Sequence, residues 1–427
     1  MKRLGVMLAM TAAIVACNDR QTGLTPSSDC DRYLKCLSEV APERFAAELK
    51  LYDSQSACWS SDDARTRCAA TCVAALSTLQ QQSPGACQAS ADGGGVDASV
   101  TDGLIADATV APPIAAIDLL VLIDNSYTME RAQTTLRDNI GKLVDALAPG
   151  GTLPDLHIGV ISTDLGVPYQ VESCQNSDGG ELQSKPRLAG CKGPSDAFIS
   201  HSANGVVNVD GVTNPLTAVR DALSCISALG TTGCGFEMHL QAIAQALSSQ
   251  VNPGFRRSGA VLGILILSDE DDCSAKDMKI FDPAASQTEW GPLTSFRCFE
   301  YGIKCDIDDR TAMGPRKSCK PRAADDPKNH LHPVENYVKL VQGIGGPGRT
   351  VVSVISGPTH LVQVNLIESM PQLAASCSGP NGSAVPAIRL EAFAKGFGAD
   401  GFFANFCNAD WSPALTQFAS ALRSKLK

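Results

Sequence analysis

The most regular hydrophobic pattern of this chain covers residues 114–427. Five apolar runs there have the length of buried strands: AIDLLVLID (116–124), LHIGVISTD (156–164), AVLGILILS (260–268), RTVVSVISG (349–357) and GFFANFC (401–407). Between them, apolar residues recur at helical spacing, as in ERAQTTLRDNIGKLVDALA (130–148) and FEMHLQAIAQALSSQ (236–250). Strands that are apolar throughout are typical of a parallel sheet covered on both faces. The pattern therefore predicts an α/β domain with a doubly wound, mostly parallel sheet.

Two long segments, about residues 165–233 and 271–330, interrupt this alternation. Loops of this length are uncommon inside compact domains unless they are functional or disordered. Each segment carries cysteines, namely Cys174, Cys191 and Cys225 in the first, and Cys273, Cys298, Cys305 and Cys319 in the second. We therefore expect both insertions to be ordered and stapled by disulfides.

The first 17 residues, MKRLGVMLAMTAAIVAC, have a basic start, an apolar stretch and small residues before Cys17. This is the layout of a secretory signal peptide, and it is shorter than a membrane-spanning helix. The ending IVAC resembles the lipobox of bacterial lipoproteins, in which the cysteine becomes the lipid-modified N-terminus. We expect residues 1–16 to be removed, and the exported chain to be anchored through Cys17 to the cell envelope, facing the periplasm or the cell surface. The alternatives are an ordinary signal peptide or a short membrane anchor.

Cysteine usage supports export. Seventeen cysteines are too many for a protein of a reducing cytosol unless they bind metal, and 16 remain for a disulfide framework once Cys17 is set aside. Zinc is the alternative, but the histidines do not fall in paired spacing with the cysteines. Nearness along the chain or in the expected fold suggests the pairs Cys174–Cys191, Cys225–Cys234 and Cys377–Cys407.

A small cysteine-rich module is expected before the large domain. Residues 17–29 form a polar tether, residues 30–88 contain six cysteines, and residues 89–113 have the composition of a flexible linker. Cys68 and Cys72 are four residues apart, so both face one side of a predicted helix. A module of about 60 residues buries little core, so disulfides are expected to stabilise it.

The charge of the chain narrows the range of partners. The formal net charge is -10, and charged residues make up 19% of the sequence. Nucleic-acid binding needs a basic patch or stripe, which this composition does not provide. We therefore expect no nucleic-acid partner, and the charge does not argue for binding of anionic lipid headgroups.

Oxygen-bearing side chains follow two of the predicted strands. The first strand ends at Asp124, with Ser126 and Thr128 directly after it, and the third strand is followed by Asp269. Because the carboxyl ends of parallel strands meet at one edge of a sheet, we expect these four side chains to lie together. Carboxylate and hydroxyl oxygens suit hard divalent cations, so the sequence predicts a site for Mg²⁺, Ca²⁺ or Mn²⁺.

Two simpler interpretations of these residues remain open. A strand followed by Asp-x-Ser-x-Thr also fits an ordinary helix cap. The acidic run 269–272 also fits a solvated turn, in which only Asp269 stands where a ligand is needed. Asp164, which ends the second predicted strand, is a further candidate at the same edge.

The segment DNSYT (124–128), with a later strand ending in SDEDD (268–272), resembles the von Willebrand factor A domain over residues 114–427. The resemblance implies a Rossmann-like sheet and a metal-ion-dependent adhesion site. That site is made of an Asp-x-Ser-x-Ser motif, a loop threonine and a late aspartate. Asp124 and Ser126 match the motif, Thr128 replaces the second serine, and Asp269 fits the late aspartate. Glu237 stands where the family places the loop threonine, which makes the site more negative and the ion less electrophilic.

The resemblance to bacterial surface lipoproteins of this type implies a binding protein rather than an enzyme. The leading hypothesis is a lipid-anchored, exported protein that binds a protein or other macromolecule through the metal site. The alternative is a structural or assembly component of the cell envelope, in which the site is metal-free or the ion only rigidifies the loops. An enzyme that uses the ion as a Lewis acid is a third hypothesis, but no general base or nucleophile constellation emerges from the sequence.

Overall fold

The structure is a computed structural model that describes residues 28–40, 52, 58, 62–82, 116–171, 174, 177–368 and 370–426. The chain divides into two units, Met1–Ile105 and Ala106–Lys427. The predicted signal peptide, the lipidation residue Cys17 and the linker 89–113 lie outside the described residues. Within the described part of the chain, no helix is long and apolar enough to cross a bilayer.

The described residues of the small unit include two helices, α1 (Ser28–Val40) and α2 (Asp62–Gln82). The Cys30–Cys72 disulfide joins them, and Cys58–Cys68 adds a second bond to α2. Cys68 and Cys72 are thus both used for crosslinks, as their helical spacing predicts. Around these bonds a small apolar cluster, which includes Tyr33, is closed off from solvent.

The large unit contains the predicted α/β alternation. Its strands are β1 (Ala116–Ile123), β2 (Asp155–Ser162), β3 (Ile199–His201), β4 (Val261–Leu267), β5 (Ile303–Lys304), β6 (Gly314–Arg316), β7 (Lys320–Pro321), β8 (Thr350–Ser356), β9 (Val362–Ile367), β10 (Met370–Leu373), β11 (Cys377–Gly379), β12 (Gly382–Ala384) and β13 (Gly401–Asn405). Its helices are α3 (Glu130–Leu147), α4 (Pro215–Ile226), α5 (His239–Ala246), α6 (Gln287–Trp290), α7 (Phe296–Gly302), α8 (Val334–Gly345), α9 (Ile388–Lys395) and α10 (Ser412–Ser424).

Six of these strands form a central, mostly parallel sheet in the order β13-β8-β4-β1-β2-β3. β1 runs parallel to both of its neighbours, and its last residue, Ile123, lies beside Ser162 of β2 and Leu267 of β4. β3 pairs antiparallel with β2 at one edge. This register brings the segments that follow β1, β2 and β4 to the same edge of the sheet.

Alternate residues of β1 enter two separate hydrophobic clusters. Leu119, Val121 and Ile123 pack with residues of α3, α4 and α10, whereas Leu120 and Leu122 pack with residues of α5, α8 and α9. Side chains of a strand alternate between the two faces of its sheet, so both faces of the sheet are covered by helices. This explains why the strand sequences are apolar throughout rather than alternating.

A buried ion-pair network holds the amino end of β1. Asp118 is fully buried, and it accepts hydrogen bonds from Arg256 Nη1 at 2.8 Å, from the Arg257 backbone N–H at 2.6 Å and from Arg257 Nε at 2.7 Å. The carboxylate is therefore compensated by two guanidinium groups, as a buried charge requires.

The described residues of the two insertions form additional elements. The first includes α4, which begins after Asn214, whose side chain accepts a hydrogen bond from Thr217 N, with Pro215 in the first turn. An Asn N-cap followed by proline is a helix-start signal that the sequence carries and that our prediction missed. The second insertion includes α6, α7, β5, β6 and β7; β6 joins a small sheet with β9 and β10.

Five disulfides crosslink described residues of the large unit: Cys174–Cys234, Cys191–Cys225, Cys273–Cys298, Cys305–Cys319 and Cys377–Cys407. The predicted pair Cys377–Cys407 is confirmed. The predicted pairs Cys174–Cys191 and Cys225–Cys234 are wrong, because the outer two of these four cysteines bond with each other and so do the inner two. Cys225 lies near the end of α4, where the returning insertion brings Cys191 to it, and Cys174 meets Cys234 in the loop that leads to α5.

Candidate functional site

Asp124 is the first residue after β1, and the end of β4 holds it in place. Its backbone N–H donates to Leu267 O at 2.9 Å, and its side chain is fully buried. Oδ1 accepts the Ser126 backbone N–H at 2.7 Å, and Oδ2 accepts the Ser268 hydroxyl at 2.7 Å. The carboxylate thus links the segments that follow two neighbouring parallel strands, as the sequence predicts.

Ser126 and Thr128 lie beside Asp124 at the start of the next helical segment. Their hydroxyl oxygens are 3.4 Å apart, and neither the short 3₁₀ turn Tyr127–Met129 nor α3 has a side-chain cap hydrogen bond. The simpler interpretation of these hydroxyls as helix caps is therefore not supported. Instead, the Thr128 hydroxyl lies close enough to Asp269 to lower the pKa of that carboxyl, across the strand ends.

Asp269 follows β4 and is only 4% exposed. No hydrogen-bond donor reaches its Oδ1 atom. Burial raises the pKa of this carboxyl to about 8, and the nearby charges of Asp124 and Glu270 act in the same direction, while the hydrogen bond with Thr128 opposes them. The structure thus brings Asp124, Ser126, Thr128 and Asp269 together at one edge of the sheet, and one carboxylate oxygen among them lacks a partner.

Glu237 reaches the same region from the loop before α5. The loop is fixed by Cys273 N, which donates to Glu237 O at 2.8 Å. The side chain is 1% exposed, and no donor reaches its Oε1 atom. Burial raises the pKa of Glu237 well above its usual value, and the neighbouring carboxylates of Glu270 and Asp124 raise it further. Glu237 is therefore a member of the acidic cluster, next to Glu270.

Asp164 has other partners. It lies after β2, where its Oδ1 atom accepts the Gly166 backbone N–H at 2.9 Å, and the nearby backbone N–H of Cys234 lowers the pKa of its carboxyl. Burial, together with the charge of Asp178, raises the pKa of Asp164. The residue thus stabilises its own turn and the loop of the Cys174–Cys234 disulfide.

The acidic run after β4 is not a solvated turn, so that interpretation is wrong. Asp271 accepts the backbone N–H groups of Arg389 and Leu390 at 2.9 to 3.0 Å, at the start of α9. Asp272 is fully paired, because its Oδ2 atom accepts Arg389 Nη2 at 2.9 Å and both side chains are buried. These two carboxylates fix the segment that carries Asp269.

The sequence prediction missed Ser268 and Glu270. The Ser268 hydroxyl donates to Asp124, and its oxygen accepts the Glu270 backbone N–H at 3.0 Å. Burial raises the pKa of Glu270 to about 7, with a further contribution from Asp124. Both residues stand in the SDEDD segment, where Ser268 is buried and Glu270 is partly buried. The parts of the insertions that cover them are distant in sequence, so the local pattern does not reveal this environment.

The site combines several carboxyl groups whose raised pKa values disfavour their ionised forms. A proton or a cation can neutralise them, and oxygen ligands favour a hard divalent cation. Across the described residues, no group of three or more His, Cys, Asp and Glu side chains is placed to hold a metal ion.

Comparisons with known proteins give the following. No family model and no curated protein matches this chain. The solved structure of the conserved hypothetical protein BatB from Bacteroides thetaiotaomicron is 11% identical, with 72% of this chain and 98% of that chain covered and a TM-score of 0.30. An aerotolerance-related membrane protein from Bacteroides fragilis is 12% identical, with 71% of this chain and 98% of that chain covered and a TM-score of 0.27. The pilus adhesin SpaC from Lactobacillus rhamnosus is 12% identical, with 73% of this chain and 31% of that chain covered and a TM-score of 0.32. TM-scores of this size do not assign the chain to a family.

The surface beside the strand ends carries one conspicuous side chain. Tyr127, between the two hydroxyl residues of the motif, is 87% exposed. A few residues further along, Gln133 donates to Asp124 O at 3.0 Å and to Gly230 O at 2.8 Å, so the backbone on both sides of this position is fixed. An exposed aromatic ring on a fixed backbone is a feature of binding surfaces.

Proposed function

We propose that the large unit is a doubly wound, von Willebrand A-like domain that holds a divalent cation at its strand ends and binds a macromolecular partner there. The observation that carries this proposal is the meeting of Asp124, Ser126, Thr128 and Asp269 at one edge of a parallel sheet. The absence of a donor for Asp269 Oδ1 supports it, because a buried carboxylate oxygen requires a partner.

The ion would be held by Asp124, Ser126, Thr128 and Asp269, and Glu237 would add negative charge from the side. The bound cation would supply a coordination position for an acidic group of the partner. Hydroxyl ligands leave the ion more positive than carboxylates do, whereas Glu237 would partly offset that charge. We therefore expect moderate affinity for an acidic partner, with Tyr127 contributing contact area next to the ion.

The proposal places this domain outside the cytosol. The disulfides of both units require an oxidising compartment, and the N-terminal sequence fits export followed by lipid attachment at Cys17. A protein of this design is tethered to the bacterial cell envelope and presents the strand-end site to a protein or other macromolecule.

One observation favours a second function, that of an envelope assembly component with a metal-free site. Both carboxylate oxygens of Asp124 already accept internal hydrogen bonds, from Ser126 N and from the Ser268 hydroxyl. These bonds stabilise the junction between β1 and β4 without an ion. In that case partner binding is indifferent to chelator.

The test is divalent-ion binding by the purified protein, measured calorimetrically and as thermal stabilisation by Mg²⁺, Ca²⁺ and Mn²⁺. We expect Ser126→Ala, Thr128→Ala and Asp124→Ala to weaken both effects. Asp145→Ala, which removes a half-exposed carboxylate of α3, is the matched control and should leave both effects unchanged. If Asp124→Ala binds and responds to ions like the wild type, the metal site is wrong. A pull-down from membrane fractions with and without EDTA then separates the two functions.

A further inference from the structure

A cavity of about 290 Å³ lies beside the strand-end cluster, in the large unit. Its lining includes the carboxylates of Glu237 and Glu270 together with Thr294, Phe296 and Phe299. Its volume is close to the lower end of small-molecule sites, so it fits a ligand of a few heavy atoms. Thr128 and Ser126, which belong to the proposed metal site, are not among its lining residues.

Two buried polar atoms in the lining have no hydrogen-bond partner. They are Oε1 of Glu237, whose side chain is 1% exposed, and Oγ1 of Thr294. Buried polar groups in folded proteins are nearly always hydrogen-bonded, so a pair of orphaned oxygen atoms in one cavity indicates a ligand with donors. A hydroxyl and a carboxylate can both accept hydrogen bonds from the same donor group.

The charges around the cavity are uncompensated on one side. Arg389 neutralises Asp272, which also lines the cavity. Glu237 and Glu270 also line the cavity, no described residue of its lining is basic, and the two carboxylates repel each other. A cationic ligand would remove this repulsion, whereas an anionic ligand would increase it.

The aromatic residues of the lining favour an organic cation over a metal ion. The rings of Phe296 and Phe299 are 5.4 Å apart, centroid to centroid, and both side chains are mostly buried. Aromatic faces attract ammonium groups and also provide apolar surface for an alkyl chain. A hydrated metal ion would gain nothing from such a wall, but an organic cation with a short apolar stem would.

We propose that this cavity binds the ammonium group of a small primary alkylamine. The three N–H donors of the ammonium are matched by Glu237, Glu270 and Thr294, and the alkyl stem packs against Phe296 and Phe299. The four residues that would hold the divalent cation do not line this cavity, and Glu237 is the one residue that both proposals use.

The experiment compares n-butylammonium with n-butanol, which has the same stem without the charge, by calorimetry on the purified protein in EDTA. We expect binding of n-butylammonium at millimolar concentration and none of n-butanol. Glu237→Gln and Glu270→Gln should each weaken binding by about tenfold or more, because each removes a charged acceptor. Thr294→Val should weaken it less, and the control Asp145→Ala, in α3, should leave it unchanged.

Three results would overturn the proposal: no binding of n-butylammonium by the wild type, equal binding of n-butanol, or unchanged affinity in both glutamine variants. Because the wild-type comparison of the two probes decides by itself, a misfolded variant does not block the test. Binding of Ca²⁺ instead of the amine, lost in Glu270→Gln, would also overturn it. Titration with Nα-acetyl-lysine N-methylamide identifies the source of the amine: tighter binding than n-butylammonium indicates a lysine side chain of a protein, and weaker binding a free amine.

Discussion

Replacing Asp269 by asparagine removes one charge from the strand-end cluster and keeps the size of the side chain. Burial and the neighbouring carboxylates raise the pKa of Asp269 from 3.8 to about 8. Below about pH 4 the folded and unfolded states both hold the proton, so the group has no effect on stability. Between that pH and the folded-state pKa, the unfolded state alone releases the proton, and stability falls as pH rises.

The magnitude follows from the size of the shift. At about 1.4 kcal/mol per pKa unit, a change from 3.8 to about 8 corresponds to a destabilisation on the order of 5 kcal/mol at alkaline pH. Glu270, with a pKa of about 7, shares this repulsion. We therefore expect Asp269→Asn to increase the free energy of unfolding by about 2 kcal/mol or more near pH 8, and by progressively less toward pH 4.

The assay is urea unfolding of both proteins in EDTA, from about pH 5 to about pH 8.5. The difference between the two proteins cancels the contributions of groups such as His157 and His332, whose pKa values are lowered mainly by burial. A gain that does not vary with pH, or a loss of stability in the variant near pH 8, would refute the reasoning. In saturating Mg²⁺ or Ca²⁺ the wild type should recover its deficit, because an ion that binds only the folded state stabilises it, whereas the variant should respond less.

The remaining predictions concern other parts of the chain. Asp118→Asn leaves two guanidinium groups without their buried partner and should lower the free energy of unfolding by about 3 to 5 kcal/mol. The control is Asp145, which forms a half-exposed ion pair. Asp145→Asn should change the free energy of unfolding by less than about 1 kcal/mol in the same urea titration. The double variant Cys377→Ser/Cys407→Ser opens a disulfide that spans 30 residues. It should cost about 3 to 4 kcal/mol in thermal unfolding, and equal melting temperatures would contradict this. Tyr127→Ala should leave stability within about 0.5 kcal/mol of wild type but reduce recovery of the partner in pull-downs; unchanged recovery would exclude the ring from the interface.

The central strands could be predicted because both of their faces are buried, so their sequences are apolar almost throughout. β1 and β4 are found where the apolar runs stand, at Ala116–Ile123 and Val261–Leu267. From the order of these runs and the rule that parallel strands align their carboxyl ends, the meeting of Asp124 with Asp269 also followed. These inferences depend on short-range pattern and sheet geometry, which the sequence carries locally.

The disulfide pairs and the burial of the acidic run depend on long-range folding. Cys174 bonds with Cys234, 60 residues away, although Cys191 is much nearer along the chain. An aspartate such as Asp272 is expected at the surface from its sequence alone. In the fold it is buried and pairs with Arg389, which stands more than 100 residues later. Such contacts are set by how the insertions return over the sheet, and a single sequence contains no local signal for that path.

Two of the disulfides flank the acidic cluster on both of its loops. Cys234 lies three residues before Glu237, and Cys273 directly follows Asp272, with both cysteines crosslinked to the insertions. A chain that stays in a reducing compartment lacks both crosslinks, so the loops that enclose Glu237 and Glu270 are free to open, and the repulsion between the carboxylates favours opening. Under the export that we propose, oxidation would act as a maturation step: it would couple completion of the site to arrival in the compartment of the proposed partner, and it would keep precursor chains from binding metal or amine in the cytosol.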